Sequence, residues 1–342
     1  MSHLNLSFGS SPEMKQQRRR NRDNVRDKVT NFEDDHDHDH HHREQEETLT
    51  DWEQYCSKLM IDKVLTHGLS FPNYNIEKQQ NLGAAAKLTK FRSHYCVGPK
   101  AVTAFIKDLP PQGKNDFILK DLFMVLSFAK SYNVNEVHGD NWGCCSDKVK
   151  KEVKWYFKKL QSVKNKKIYI GGFKNETIHV YSVDGVHSST RECRKNPTAK
   201  VYSHKFHGPG VTYEVGIAIF ESRVLWIKGP FVASTHDSRM CRSDGGVNDD
   251  NLQGKRGIAD SAYRKIESMT VHREGHSKEM TNFINRVRAR HESFYFRIKV
   301  FGVLSSKFRG SWNKSEEHKM FLEGCAVLVQ YDMENGHPLM EA

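Results

Sequence analysis

No run of apolar residues approaches the 18 or more that a membrane-spanning helix needs, and the opening stretch MSHLNLSFGSSPEMKQQRRR lacks the apolar core of a secretory signal. These absences give the expectation of a soluble, intracellular chain with no membrane partner. Cysteine is scarce and shows no pairing pattern. The seven, at 56, 96, 144, 145, 193, 241 and 325, contain no C-x-x-C, and the vicinal pair at 144 and 145 is poorly placed to bridge. A disulfide framework and a zinc module are therefore not expected, and the thiols read as reduced. What is present suffices for a core: 37% of the 342 residues are hydrophobic and 11% aromatic. The length allows one large domain or two ordinary ones.

Charge is unevenly spread. Lys and Arg number 53 against 42 Asp and Glu, a net of +11; residues 1–32 hold +4 and residues 33–53 hold −9, which leaves +16 for the remainder. A folded body that basic repels itself unless it meets a polyanion, and nucleic acid is the usual one; the bland alternative is a solubilising surface. Residues 1–50 read as a disordered arm with nothing to pack. In it, Arg18, Arg19, Arg20 and Arg22 form a basic cluster suited to nuclear import or phosphate binding, and the tract from Asp34 to His42 is low-complexity Asp and His without fixed geometry.

Residues 51–165 carry a helical signal. Phe117, Leu119, Leu122, Phe123, Leu126 and Phe128 recur at spacings that bury a broad stripe. A short piece from Val134 to Trp142 follows. In the next turn, GCCSD, Ser146 is placed to cap a helix running through Val149, Val153, Tyr156, Phe157 and Leu160. Helix, short helix, Gly-containing turn and basic helix is the order of a helix-turn-helix. In that geometry Lys148, Lys150, Lys151, Lys154, Lys158 and Lys159 would meet DNA phosphates; the same residues also suit an ordinary three-helix unit with a solvated lysine face.

Residues 166–342 change period. IYIGG, TIHVYSVD, VTYEVGIAIF and RVLWIKG are β-rich runs divided by Gly, Pro, Asn and Ser, and Lys255 to Asp260 forms a further short run. The chain becomes helical again from about 277 to 304. On these elements three acids stand out: Asp184 at the end of TIHVYSVD, Asp260 at the end of GKRGIAD, and Glu292 in the long helix. If the strands bearing Asp184 and Asp260 are parallel neighbours, the two acids lie about 4.8 Å apart at one sheet edge. Such carboxylates can share two divalent cations that clamp the attacking and leaving oxygens of a phosphodiester. Along the helix, Phe283, Ile284, Val287, Phe294, Ile298 and Phe301 make a buried stripe flanked by Arg288, Glu292, Tyr295 and Lys299. Taken singly, each Asp also reads as a strand-ending turn residue, and Glu292 as an i, i+4 partner of Arg288.

The segments VYSVDGVHSS, KVYSHKFHGPGVTYEVGIAIF, LWIKGPFVASTHDS, GIADSAYRKI, RVRARHESFYFRIKVFGVLSSKFRG and AVLVQYDMENGHPLM together resemble the endonuclease domain of PIF/Harbinger-type DDE transposases. The resemblance implies an RNase H-like α/β fold, a five-stranded mixed sheet with flanking helices, over 166–342, and within the helical, helix-turn-helix-like region 51–165 the stretch from about 90 to 165 looks like the family's helix-turn-helix segment. It implies Asp184, Asp260 and Glu292 as catalytic acids and metal ligands, with Asp237 as a fourth ligand or, alternatively, part of a capping sequence. The motif usually read as D-x-G-Y stands here as Asp260-Ser261-Ala262-Tyr263, and an Ala at a position of positive φ would be strained by roughly 1 kcal/mol.

The resemblance further implies two Mg²⁺ or Mn²⁺ ions, cleavage of transposon ends followed by joining of the 3′ ends to target DNA, and a nuclear protein. Its partners would be double-stranded DNA, other copies of the chain assembled on it and a Myb-like DNA-binding protein. Lys205, Arg288 and Lys299, bases within the matched segments, are further candidates for holding DNA, and His204 and His236 for donating to a phosphate or a water. Two alternatives remain: a host-adopted, catalytically inactive DNA-binding protein derived from a transposase, and an RNase H-like nuclease acting on another nucleic acid.

Overall fold

The computed structural model describes residues 51–71, 82–112, 117–173, 177–193 and 198–342; the arm over 1–50, with its basic cluster and Asp/His tract, lies outside the described residues. The first half is helical: α1 (Ile61–Ser70), α2 (Ala84–Tyr95), α3 (Pro99–Asp108), α4 (Leu119–Ser131), α5 (Asn135–Trp142), α6 (Ser146–Ser162) and the single turn α7 (Lys164–Lys167). Two breaks follow from backbone chemistry. Tyr132 and Gly143 adopt left-handed conformations, and their N–H groups turn back onto the last carbonyls of α4 and α5. Ser146 does not cap α6 as the sequence suggested. The capping position falls to Cys145, which makes no side-chain bond, and Asp147 supplies favourable negative charge in the first turn.

Among the described residues, six strands form one mixed sheet: β1 (His179–Ser189), β2 (Tyr202–Ser203), β3 (Gly208–Ala218), β4 (Val224–Val232), β5 (Arg256–Ala259) and β6 (Met269–Val271). β1, β3 and β4 pair antiparallel in turn, while β5 and β6 extend the sheet on the other side of β1, each parallel to its neighbour. Four of the expected β runs form β1, β3, β4 and β5, in the order β4-β3-β1-β5; β6, which the sequence did not announce, pairs with β5, and the two-residue β2 adds a rung to the start of β3.

Two strand expectations need correction. IYIGG forms no strand: Gly171 and Gly172 take positive φ, and the Arg223 guanidinium binds the carbonyls of Tyr169 and Gly171 that a ladder would have used. β1 does not end at Asp184 but continues to Ser189, because β3 pairs with it from Tyr181 to Ser189 while pairing with β5 stops at Ser182. The long helix expected to about residue 304 is also divided, into α9 (Lys278–Lys299) and α10 (Gly302–Ser305). Gly302 sits where a Cβ would lie 2.4 Å from the Lys130 carbonyl oxygen, so the chain turns by close approach to the end of α4.

The last helix, α11 (Ser315–Glu334), is apolar on most sides and almost wholly covered. Its polar residues are satisfied by elements from both halves of the chain. Glu323 accepts from Gln161 at 2.7 Å and pairs with Lys164 at 2.6 Å; Asp332 pairs with Arg92 at 2.6 Å and accepts from the Gly98 N–H. Gln330 accepts from the Val224 N–H and donates to the Ser222 carbonyl beside β4. One apolar cluster therefore runs from Trp52 through α2 to α6 to the inner residues of β3 and β4 and on to Leu339.

β5 approaches β1 closely because it has Gly257 where a Cβ would lie 2.1 Å from the Tyr181 ring. Gly257→Ala is expected to destabilise the fold by about 1–3 kcal/mol through overpacking, read as a lower urea midpoint with an unchanged m-value.

Candidate active site

Parallel pairing sets the first two acids. Ser182 on β1 is in register with Ile258 on β5, so two residues further along Asp184 and Asp260 are neighbours on the same face. β5 ends at Ala259, which leaves Asp260 to cap the single 3-10 turn that follows: its Oδ1 accepts the Ala262 N–H at 2.9 Å. Asp184 lies in the middle of β1, and its Oδ1 accepts the Gly185 N–H at 2.8 Å. The third acid arrives on α9, which packs over β1 and β5 through Ile284 and Val287 against Ile219 and Ile258. Asp184, Asp260 and Glu292 line one cleft of about 20 Å³ together with Arg288 and His291. That space admits a water or a bare cation; a nucleotide would have to lie across its mouth. Arg288 and Glu292 make no ion pair with each other or with another described residue, so the i, i+4 alternative does not hold.

Asp237 comes from the other side of β1. It is the first residue of α8 (Asp237–Cys241), whose N-cap is His236; the His236 ring accepts the Ser238 N–H. The Asp237 carboxylate rests against the β1 backbone at Gly185, where a Cβ would stand 3.0 Å from its Oδ1. The glycine after Asp184 thus makes room for a fourth acid.

The electrostatics reflect this convergence. Burial pushes the Asp184 carboxyl up to about 6, and the charges of Asp260, Asp237 and Glu292 push in the same direction against the Gly185 hydrogen bond. Asp237 is likewise raised, by burial and then by Asp260. A hard dication is the natural neutraliser of such a group, and oxygen is its preferred donor. Among the described residues, no three His, Cys, Asp or Glu side chains are drawn together closely enough to hold an ion as they stand. The donor chemistry nevertheless fits, and buried polar atoms without described partners surround it: the Tyr263 and Tyr295 hydroxyls and both His291 ring nitrogens.

Several of these groups were not legible as site residues. Tyr295, expected at the flank of α9, is buried and stacks on His291 with ring centroids 5.4 Å apart. Burial, then Arg290 and Arg288, hold the His291 imidazole down to about 3, so it is neutral. Glu214 on β3 is fully buried opposite Gly185 and pairs with Lys228 at 3.1 Å; the same ammonium binds the carbonyls of Cys241, Ser243 and Gly245 and so fixes the chain that follows α8. A lone acid in the apolar run VTYEVGIAIF was the available signal. Ala262 has no positive φ, and the strain anticipated from its replacing glycine is absent.

The basic candidates fall into two groups. Arg288 lines the acid cleft. Lys205 sits on the loop between β2 and β3 with its ammonium 5.4 Å from the Phe206 ring, and its charge is felt by Asp237. Lys299 is exposed at the end of α9, and its charge, like that of Lys205, is felt by His187. His204 packs edge-on to Tyr202. The α6 lysines are on a different element whose opposite face is buried on α11. There Lys148 pairs with Asp121 at 3.0 Å and Lys150 with Asp147 at 3.0 Å; Lys151, Lys154 and Lys158 are exposed, and Lys159 lies over Trp155.

Asp184→Asn keeps an acceptor for the Gly185 N–H and removes one like charge. Because the folded-state pKa is raised, the wild type loses stability as pH rises from the ordinary carboxylate range through about 6. In metal-free buffer at pH 7.5 the variant is expected to be more stable by on the order of 1–2 kcal/mol, with the advantage vanishing below pH 4; an unchanged melting temperature at pH 7.5 would count against the repulsion.

Residues 183–330 match the family model described as DDE superfamily endonuclease, a span that begins beside Asp184 and includes Asp237, Asp260 and Glu292. This relates the sheet, α9 and most of α11 to DDE transposase-like endonucleases. No curated protein and no solved structure matches the chain.

Proposed function

We propose that this protein is a DDE transposase of the PIF/Harbinger kind, a metal-dependent endonuclease that hydrolyses DNA phosphodiester bonds at element ends and joins the freed 3′ ends to target DNA. The reading is carried by the meeting of Asp184, Asp260 and Glu292 around one cleft within the stretch that matches the DDE endonuclease family. The strand order β4-β3-β1-β5-β6, with two parallel strands added to an antiparallel meander, supports an RNase H-like assignment. Nuclear action, assembly of copies on DNA and a Myb-like partner belong to the same proposal.

Asp184, Asp260 and Glu292 would hold Mg²⁺ or Mn²⁺, with Asp237 in reach of the same charge. A bound pair of such ions supplies Lewis-acid activation of an attacking water and stabilises the departing 3′ oxygen. The chain's own groups do the rest. Asp184, which lines the cleft, is held by the Gly185 N–H, and Asp260 is fixed by the Ala262 N–H. Arg288 offers a guanidinium to a phosphate lying across the mouth, and Lys205 offers an ammonium from the other flank. Buried His291 and Tyr295 close the floor against bulk water, which strengthens every charge interaction above them. Exposed lysines of α6 would contact the duplex if the α4–α6 segment acts as a helix-turn-helix.

The test is nicking of supercoiled plasmid. Cleavage is expected with Mg²⁺ or Mn²⁺, to stop on chelation, and to fall by at least about 100-fold in Asp184→Ala and in Glu292→Gln. Undiminished cleavage in either variant would falsify its assigned role.

A further inference from the structure

A second cleft lies away from the acids. It is an open cleft of about 730 Å³ at the far end of β1, lined by Arg191, Lys307, Arg309, Ser311 and Asn313, with Glu192 the one acid among its described lining residues. Two segments distant in sequence build it. Thr190 bridges Phe308 in parallel, the Arg191 N–H donates to the Gly310 carbonyl and the Phe308 N–H to the Ser189 carbonyl. These bonds set Arg191 and Lys307 on opposite strands of a two-segment wall. Neither makes an ion pair with another described residue, and both are exposed. Arg309 is anchored: its guanidinium donates to the Tyr132 and Asn133 carbonyls and lies 4.0 Å from the Tyr132 ring, so its charge is held in place, and it makes no ion pair with another described residue.

Unneutralised cations, one of them rigid, together with a hydroxyl and an amide on an open wall, form a constellation suited to a phosphodiester backbone. We infer that this cleft is a second DNA-binding site, one that grips the duplex backbone at a distance from the bond being cut. It rests on the DNA reading above and deepens it. β1 links the two sites: Arg191 stands seven positions beyond Asp184, just past the end of the strand, roughly 20 Å at the rise of a strand, which corresponds to about six nucleotides along one DNA strand. The cleft would therefore hold the phosphates about half a helical turn from the acids, fixing the register of the cut. The α6 lysines differ in that two of them already have acidic partners.

The experiment measures binding of a fluorescent duplex of about 30 base pairs by full-length protein in EDTA across a salt series. The double variant Arg191→Glu/Lys307→Glu is expected to bind at least about 10-fold more weakly and to lower the slope of log K against log salt by about two contacts' worth, near 1.8. The charge-preserving Arg191→Lys/Lys307→Arg should bind as wild type. Should the double Glu variant melt early, Arg191→Gln/Lys307→Gln serves instead, with the same direction and a smaller loss. If wild type binds the duplex and neither reversal nor neutralisation alters affinity or slope, the cleft inference fails while the functional reading stands. If wild type does not bind DNA, the functional reading fails and the cleft inference goes with it. Displacement of the duplex by inorganic phosphate beyond that produced by sodium chloride of equal ionic strength would overturn the inference by assigning the cleft to a small anion.

Discussion

The parallel ladder between β1 and β5 is the constraint on which the site depends. It is short, since β5 has only four residues, and it is the reason two acids 76 positions apart in sequence become neighbours. A parallel pair needs a long crossover, and here the crossover carries α8 and so delivers Asp237 to the opposite side of β1. The close approach at Gly257 and the room left at Gly185 serve the same junction. Each removes a side chain where another group has to come near the β1 backbone.

Holding four carboxylates near one another opposes folding, and the structure compensates around them rather than among them. α9 is fixed to the sheet by Ile284 and Val287, Glu214 and Lys228 tie β3 and β4 to the chain after α8, and His291 stays neutral under full cover. The carboxylates remain unpaired with any described cation, which leaves their charge available to a ligand. The buried hydroxyls of Tyr263 and Tyr295 add polar atoms close to the acids.

How much of this was legible depended on period and chemistry at particular residues. VTYEVGIAIF and RVLWIKG announced β3 and β4 through β-branched and aromatic runs, and the apolar spacing of Ile284, Val287, Phe294 and Ile298 placed α9 on the sheet. The juxtaposition of Asp184 and Asp260 followed only once parallel pairing was assumed, since periodicity finds strands but not their partners. IYIGG misled because its composition suits a strand while its two glycines take conformations a strand does not use. Tyr295 misled because the buried face of α9 is broader than a simple stripe and takes in His291, Arg290 and Tyr295 as well. The cleft at Arg191 was invisible, because it depends on Thr190 and Phe308 meeting across more than a hundred residues.

α11 has a consequence for how such a gene can change. Being enclosed by helices from the first half and strands from the second, it acts as a mast to which both are rigged. A stop codon anywhere before Ser315 would uncover α3 and α6 as well as β4. Decay of the gene by truncation would therefore be abrupt, and an inherited copy that retains a working helical half must also retain the distal end of its reading frame.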